Sequence, residues 1–77
     1  MKYIILEQMG TLIPVVFSEF LCHDVFKKYN PISAGFCSII NNKVKIWGNS
    51  TSLKLSPNEK DQKLLEQLFF LPDNYFL

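Results

Sequence analysis

The chain has 77 residues and a mass of 9.0 kDa, so it holds one small domain, residues 1–77. Its composition, 48% apolar and 19% charged, is typical of a folded protein and excludes an intrinsically disordered chain. A net charge of +1 excludes a strong overall attraction to nucleic acid or to an anionic membrane. Cys22 and Cys37 are too few for a multi-disulfide scaffold, and we expect both to be reduced and buried.

The sequence shows no pattern typical of secretion or of membrane insertion. Its first apolar run ends at Glu7, well short of the apolar core of a signal peptide. The next apolar stretch, 11–17, is interrupted by Pro14 and is far shorter than the roughly 20 residues that cross a bilayer. We therefore expect a cytoplasmic protein with no membrane partner.

The N-terminal part of the chain predicts a β-hairpin. Residues 2–8 and 11–17 are both rich in strand-forming side chains, and Met9-Gly10 separates them. Because proline cannot donate a hydrogen bond to a neighbouring strand, Pro14 restricts the second strand to an edge of the sheet or to a bend.

Residues 18–29 predict a helix with Ser18 as its N-cap and Asn30-Pro31 as its stop signal. An apolar stripe at helical spacing defines the face that we expect to be buried, and it consists of Phe17, Phe20, Leu21, Val25, Phe26 and Tyr29. His23 lies outside this stripe, so we expect it on a solvated face of the helix together with Glu19.

The clearest predicted element is a second hairpin, formed by residues 36–40 and 43–47 around Asn41-Asn42. Asparagine tolerates the positive φ angles of a two-residue hairpin turn, and this turn sets the register of the two strands. One face is then fully apolar and consists of Cys37, Ile39, Val44 and Ile46. The other face consists of Ser38, Lys45 and a cross-strand pair of Phe36 and Trp47.

The C-terminal part of the chain predicts one more strand and one more helix. Residues 51–55 have strand-like alternation, with Leu53 and Leu55 directed inward and Lys54 outward. A helix follows over 56–70, with Ser56 as N-cap, Pro57 at the first helical position and Glu59 completing a capping box. The apolar tail is expected to pack on the sheet or to dock on another chain.

These elements predict an α+β fold in the order β-β-α-β-β-β-α. A small, mostly antiparallel sheet of four to five strands is expected to carry both helices on one face. The acidic residues and cysteines that could act in catalysis or bind a metal are scattered along these elements. The single histidine has no Cys-x₂₋₄-Cys pair near it in the sequence. We therefore predict no metal site, no cofactor and no catalytic residue, and we expect that the protein is not an enzyme.

Charge is distributed unevenly along the chain. Residues 27–54 contain five lysines and no acidic residue, whereas 1–26 and 55–77 each have a net charge of −2. Lysines beside exposed aromatic rings suit an acidic protein surface or single-stranded nucleic acid, or they merely discourage aggregation of a solvated sheet. The candidate partner-binding residues are Phe36, Lys43, Lys45, Trp47, Lys54, Tyr75, Phe76 and Leu77.

Two segments of the chain share a pattern with a known group of sequences. Residues 31–36, PISAGF, open a predicted strand, and residues 47–53, WGNSTSL, lead toward the acidic start of the last helix at Glu59 or Asp61. Together they resemble short, uncharacterised phage and prophage proteins, over residues 31–68. The resemblance implies a mobile element and a small protein that acts by binding in the host cytoplasm. That group has no assigned activity, so the resemblance assigns no functional residue.

We therefore expect a non-catalytic protein-binding module of a phage or mobile element, which inhibits a host protein such as a defence protein. One alternative is a module that binds single-stranded nucleic acid through the basic hairpin 36–47. Another alternative is a structural homo-oligomer. A chain this small gains stability by dimerising through a strand edge or the C-terminal tail, and a homodimer is expected in either case.

Overall fold

A four-stranded antiparallel sheet forms the centre of the fold in the computed structural model, which describes residues 1–70. The strands are β1 (Lys2–Gln8), β2 (Thr11–Phe17), β3 (Ser33–Ile40) and β4 (Lys43–Trp47), and their order in the sheet is β2-β1-β3-β4. A 3₁₀ helix (His23–Tyr29) precedes β3, and the helix α1 (Asp61–Phe70) follows β4. The predicted α+β class and antiparallel sheet are confirmed.

Both predicted hairpins are present with the expected turns. Met9 and Gly10 have φ angles of 53° and 80°, and Asn41 and Asn42 have φ angles of 52° and 62°. Such left-handed pairs match the twist of the strands that they connect. The second hairpin has the register that the sequence predicts, and β2, with Pro14 inside it, is an edge strand as expected.

Different elements cover the two faces of the sheet. On one side, which we call the α1 face, Leu65 of α1 packs on Tyr3, Ile5, Cys37 and Val44. On the other side, the 3₁₀ face, Phe26, Leu53 and Leu55 pack on Ile4, Leu6 and Ala34. The prediction of two helices on one face is therefore wrong. Consecutive residues of β1 are apolar and point to opposite faces, so both faces need cover.

The first predicted helix is shorter and tighter than expected. Ser18 forms a turn, because its Oγ accepts the N–H of Phe20 at 3.2 Å and its carbonyl accepts the N–H of Leu21 at 3.1 Å. The 3₁₀ helix that follows has three residues per turn, which places His23 and Phe26 on the same side, toward the sheet. The predicted stripe with a period of 3.6 is therefore wrong, and Phe20 is 99% exposed.

Residues 51–54 form a turn, closed by a bridge between Ser50 and Leu55, and not the fifth strand predicted over 51–55. The Oγ of Ser50 accepts the N–H of Leu53 at 3.2 Å, and two backbone hydrogen bonds of 2.8 and 3.1 Å join Ser50 to Leu55. Local hydrogen bonds of this kind compete with sheet pairing. Leu53 and Leu55 are nevertheless partly buried as expected, and Lys54 is exposed with a φ of 57°.

The helix α1 begins later than predicted because a different capping pair is used. The N–H of Asn58 donates to Oδ2 of Asp61 at 2.9 Å, and the N–H of Lys60 donates to Oδ1 of Asn58 at 3.0 Å. Asn58 is thus the N-cap and Asp61 the third residue after it, as in a capping box shifted by two residues, although the Asn58 side chain accepts from Lys60 and not from Asp61. The predicted capping residues, Ser56 and Glu59, have exposed side chains instead.

The carboxylate of Asp61 is buried and ties α1 to the sheet. Its Oδ2 accepts the hydroxyl of Tyr3 at 2.7 Å, and its Oδ1 accepts the hydroxyl of Ser33 at 3.0 Å. Burial raises the pKa of the Tyr3 phenol. The hydrogen bond to Asp61 and the negative charge of the Asp61 carboxylate raise this pKa further. The Tyr3 phenol on β1 therefore stays protonated and remains a donor to Asp61 on α1.

Replacement of Asp61 by its isosteric amide tests this account. Asp61→Asn places an NH₂ group among three donors, so at least one buried donor loses its acceptor. We expect unfolding in urea to show a loss of about 2 kcal/mol. Glu59→Gln, the same change at the predicted capping position, is expected to cost less than about 0.5 kcal/mol. Equal losses for the two variants would contradict the shifted capping box.

The turn at Met9 provides a second test. Met9 is fully exposed and has a φ of 53°, so its side chain makes no packing contribution while its backbone is strained. Met9→Asn is expected to raise the free energy of unfolding by about 1 kcal/mol, because asparagine adopts the left-handed region more readily. Met9→Ala keeps the strain and should show no such gain; an equal gain in both variants would exclude the turn as the cause.

Candidate functional site

A row of four side chains crosses the entire sheet on the 3₁₀ face. Lys2 of β1 lies opposite Phe17 of β2 and Phe36 of β3, and Phe36 lies opposite Trp47 of β4. We call Phe17, Lys2, Phe36 and Trp47 the aromatic row. Trp47, at the β4 end, is the most exposed of the four, with 45% of its surface accessible. The side chains of the row therefore become more exposed from Phe17, which is partly buried, to Trp47.

His23 holds the middle of this row in place. Its ring packs edge-on against Phe17 and Phe36, with centroid distances of 5.4 and 5.5 Å and interplanar angles of 85°. Its Nε2 lies 2.9 Å from the carbonyl oxygen of Gly35 and must donate, because a carbonyl only accepts. The prediction of a solvated His23 is therefore wrong: the residue is 4% exposed.

Lys2 is also engaged within the row. Its Nζ donates to the carbonyl of Leu21 at 2.8 Å and lies 5.9 Å from the centre of the Phe36 ring. The first contact anchors the turn after β2 to the sheet, and the second is a cation–π contact. Lys2 therefore helps to hold the side chains of the row in place. Its ammonium group is less available for binding a partner than those of the lysines of β4.

The indole of Trp47 is exposed and yet held in one orientation. It lies nearly parallel to the ring of Phe36, with an interplanar angle of 18° and a centroid distance of 6.1 Å. Gly48 follows with a φ of 70°, and a Cβ at Gly48 would lie 2.8 Å from Cδ2 of Phe36. Only glycine lets the chain turn away directly beside the stacked rings. The predicted pairing of Phe36 with Trp47 is confirmed.

Two of the predicted lysines share the face of Trp47. Side chains alternate along β4, so Lys43, Lys45 and Trp47 project from one side of the strand. Both lysines are exposed, and within residues 1–70 neither forms a salt bridge. The sheet thus brings together Phe36, Lys43, Lys45 and Trp47, which we call the hairpin surface.

The other predicted site residues are not part of this surface. Lys54 lies in the separate turn 51–54, although it is exposed as expected. Tyr75, Phe76 and Leu77 lie outside the described residues. A cavity of about 520 Å³ lies elsewhere, between β2 and α1, and is lined by Leu12, Glu59, Lys60, Lys63, Leu64 and Gln67. This cavity does not reach the aromatic row or the hairpin surface.

The cysteines differ in their surroundings and are not bonded to each other. Cys37 is buried as predicted, and burial raises the pKa of its thiol. Cys22 is exposed, contrary to the prediction, because it precedes the 3₁₀ helix instead of lying within a longer one. Among residues 1–70, no three His, Cys, Asp or Glu side chains are grouped to hold a metal ion. In that part of the chain, no helix has the length and apolar character to span a membrane.

Comparisons with known proteins add no functional residue. No family model matches the chain, and no curated protein or solved structure matches it. The resemblance of residues 31–68 to phage and prophage proteins therefore stays a prediction. The functional argument rests on the geometry of the aromatic row and the hairpin surface.

Sequence reasoning missed His23, although a signal for it is present. His23, Phe26 and Tyr29 recur every three residues, which is the period of a 3₁₀ helix. The competing stripe at a period of 3.6 contains more apolar residues and therefore dominated the prediction. The cross-strand position of Lys2 opposite Phe36 could not be predicted, because the pairing of β1 with β3 has no local signal.

The stacking of Trp47 can be tested by near-ultraviolet circular dichroism, since the chain has one tryptophan. Phe36→Leu removes the ring on which the indole stacks, so we expect the tryptophan band to lose most of its amplitude while the far-ultraviolet spectrum is kept. Phe20→Leu makes the same change at a fully exposed phenylalanine and should leave the band unchanged. An unchanged band in Phe36→Leu would show that the indole is ordered by other contacts.

Proposed function

We propose that this chain is a small, non-catalytic module that binds a partner protein through the hairpin surface. The observation that carries the proposal is the state of Trp47, whose large ring is both exposed and held against Phe36. Tryptophan is enriched among the residues that dominate protein–protein binding energies. An ordered side chain also loses little conformational entropy when a partner binds.

The lysines of the hairpin surface define the chemistry of this partner. Lys43 and Lys45 are exposed on the same face as Trp47, and no acidic residue lies between residues 27 and 54. Potentials at specific interfaces are complementary, so this surface fits an acidic surface with an apolar centre. The lysines would accelerate association and orient the partner, while the indole would supply most of the affinity.

The lack of catalysis is supported by how the reactive groups are used. The imidazole of His23 is buried, donates to a backbone carbonyl and lies between two phenylalanine rings. The hydroxyl of Ser33 donates to the buried carboxylate of Asp61. The thiol of Cys37 is buried, and its pKa is raised. Each of these groups serves the fold, and each is directed away from the hairpin surface or covered.

The resemblance of residues 31–68 to phage and prophage proteins motivates a further part of the proposal. A module from a mobile element acts in the cytoplasm of its host, and its partner there is a host protein. We propose that binding inhibits this host protein, and that a defence protein is the most useful target for such an element.

Single-stranded nucleic acid is the second candidate partner, and one observation favours it. The open face of Trp47, stacked on Phe36 and flanked by Lys45, has the composition of a base-stacking platform. Against this, the platform offers one well-exposed ring, and the chain has no arginine. A protein partner therefore accounts for the surface better.

Charge reversal on the hairpin surface tests the proposed function. Tagged protein is incubated with a lysate of the host cells, with and without nuclease, and retained proteins are identified by mass spectrometry. We expect the wild type to retain a stoichiometric protein with or without nuclease. Lys43→Glu combined with Lys45→Glu should lose it, because the acidic partner would then meet acidic side chains.

A matched control separates the hairpin surface from general charge effects. Lys60→Glu combined with Lys63→Glu changes the net charge equally, but Lys60 directly precedes α1 and Lys63 lies on it, on the other side of the sheet. This variant should retain the partner. Retention that disappears with nuclease would support the nucleic-acid alternative, and loss of the partner from both variants would contradict the assignment to the hairpin surface.

A further inference from the structure

The outer edge of β4 offers unpaired backbone groups. Lys43 follows the two-residue turn directly, so Lys43, Lys45 and Trp47 direct their backbone groups to β3. The N–H and C=O groups of Val44 and Ile46 therefore point away from the sheet. Among residues 1–70, no segment forms a hydrogen bond with them, since β4 is last in the strand order.

The opposite edge of the sheet is protected in a different way. In β2, the same alternation places the backbone of Pro14 at the outer edge, where proline has no N–H to offer. A strand added there would lack a hydrogen bond at the centre of the edge. The strand β4 contains no proline, so its edge is the one that can accept another strand.

A strand added to β4 would meet two different environments. On the α1 face, it would extend the apolar row of Val44 and Ile46, which pack with Leu65 of α1. On the 3₁₀ face, it would lie beside the exposed side chains of Lys43 and Lys45. An extended segment in which apolar and acidic residues alternate fits both environments.

A second copy of the chain fits this edge poorly. When two β4 strands pair antiparallel about a two-fold axis with full overlap, Lys45 of one copy lies opposite Lys45 of the other. Like charges placed directly opposite each other destabilise a sheet. The lysines that discourage self-pairing would attract an acidic strand, so charge complementarity selects the occupant.

We propose that β4 accepts an extended acidic segment of the partner protein by antiparallel strand addition, in keeping with the antiparallel pairing of the rest of the sheet. This inference rests on the proposed protein-binding function and specifies how the partner is held. Backbone hydrogen bonds to Val44 and Ile46 supply part of the affinity, and Lys43 and Lys45 supply the selectivity. Trp47 lies at the end of the same strand and contacts the terminal part of the segment.

Fluorescence of Trp47, the single tryptophan, tests the proposal with the full-length protein. The probe is a synthetic peptide in which glutamate and valine alternate. We expect a saturable change in emission, and about tenfold weaker binding by Lys43→Glu combined with Lys45→Glu. The Lys60→Glu and Lys63→Glu variant should bind as the wild type does. A peptide of the same composition with its glutamates in one block should bind far more weakly.

Methylation of the peptide's backbone is the decisive control. In a strand added antiparallel to β4, the valines lie opposite Val44 and Ile46, so their N–H groups face β4. Methyl groups on these nitrogens remove the donors and keep every charge, so antiparallel strand addition predicts loss of binding. Equal binding of the methylated peptide would overturn strand addition, and so would an emission change produced only by a single-stranded oligonucleotide or only by self-association. If the lysate partner is captured through Lys43 and Lys45 but no peptide binds, the edge proposal fails and the protein-binding function stands.

Discussion

A carboxylate buried away from water is stable only when donors surround it, and the donors around Asp61 come from three separate segments. Tyr3 lies on β1, Ser33 lies on β3, and Asn58 lies at the start of α1. The three bonds fix where α1 begins and where it crosses the sheet. Removal of one partner would leave a buried polar group without its hydrogen bond. The positions of β1, β3 and α1 relative to one another therefore depend on all three bonds.

The extent of the cover on each face of the sheet decides which surface is left open. From its anchored start, α1 covers one face of the sheet, including the inward side chains of β4. The 3₁₀ helix and the turn 51–54 cover the other face over β1 and the start of β3, where Ile4, Leu6 and Ala34 are buried. Neither of them covers Lys45 or Trp47. The hairpin surface is therefore open because the two covering layers are of unequal extent.

The aromatic row compensates for this incomplete cover. His23 joins the covered half of the 3₁₀ face to the open half, since its ring contacts both Phe17 on β2 and Phe36 on β3. The stack of Phe36 and Trp47 then extends this order to β4, which no helix within residues 1–70 supports on that side. An exposed tryptophan is thereby kept in one orientation without being buried, as a preorganised contact residue requires.

Elements whose signals are local could be predicted, and those whose signals compete over distance could not. At Asn41-Asn42, turn chemistry and apolar alternation specify the same register, so the hairpin and the Phe36–Trp47 pair follow from the sequence. Near the start of α1 the sequence offers two overlapping capping pairs, Ser56 with Glu59 and Asn58 with Asp61. The second pair is used because Asp61 also accepts hydrogen bonds from Tyr3 and Ser33, which are distant in sequence. The burial of His23 could not be predicted for a similar reason, because the apolar residues around it fit both a helical period of 3 and one of 3.6.

The two edges of the sheet limit the addition of another strand in different ways. Pro14 protects β2 by removing a donor, which weakens the pairing of any added strand regardless of its sequence. The lysines of β4 protect by charge, which excludes only strands of like charge. Protection by charge is therefore selective, and an acidic segment gains an attraction to the lysines that a neutral segment lacks. Because Lys43 and Lys45 alternate with Val44 and Ile46, the same strand that repels its own copy contributes apolar surface on one face and charge on the other.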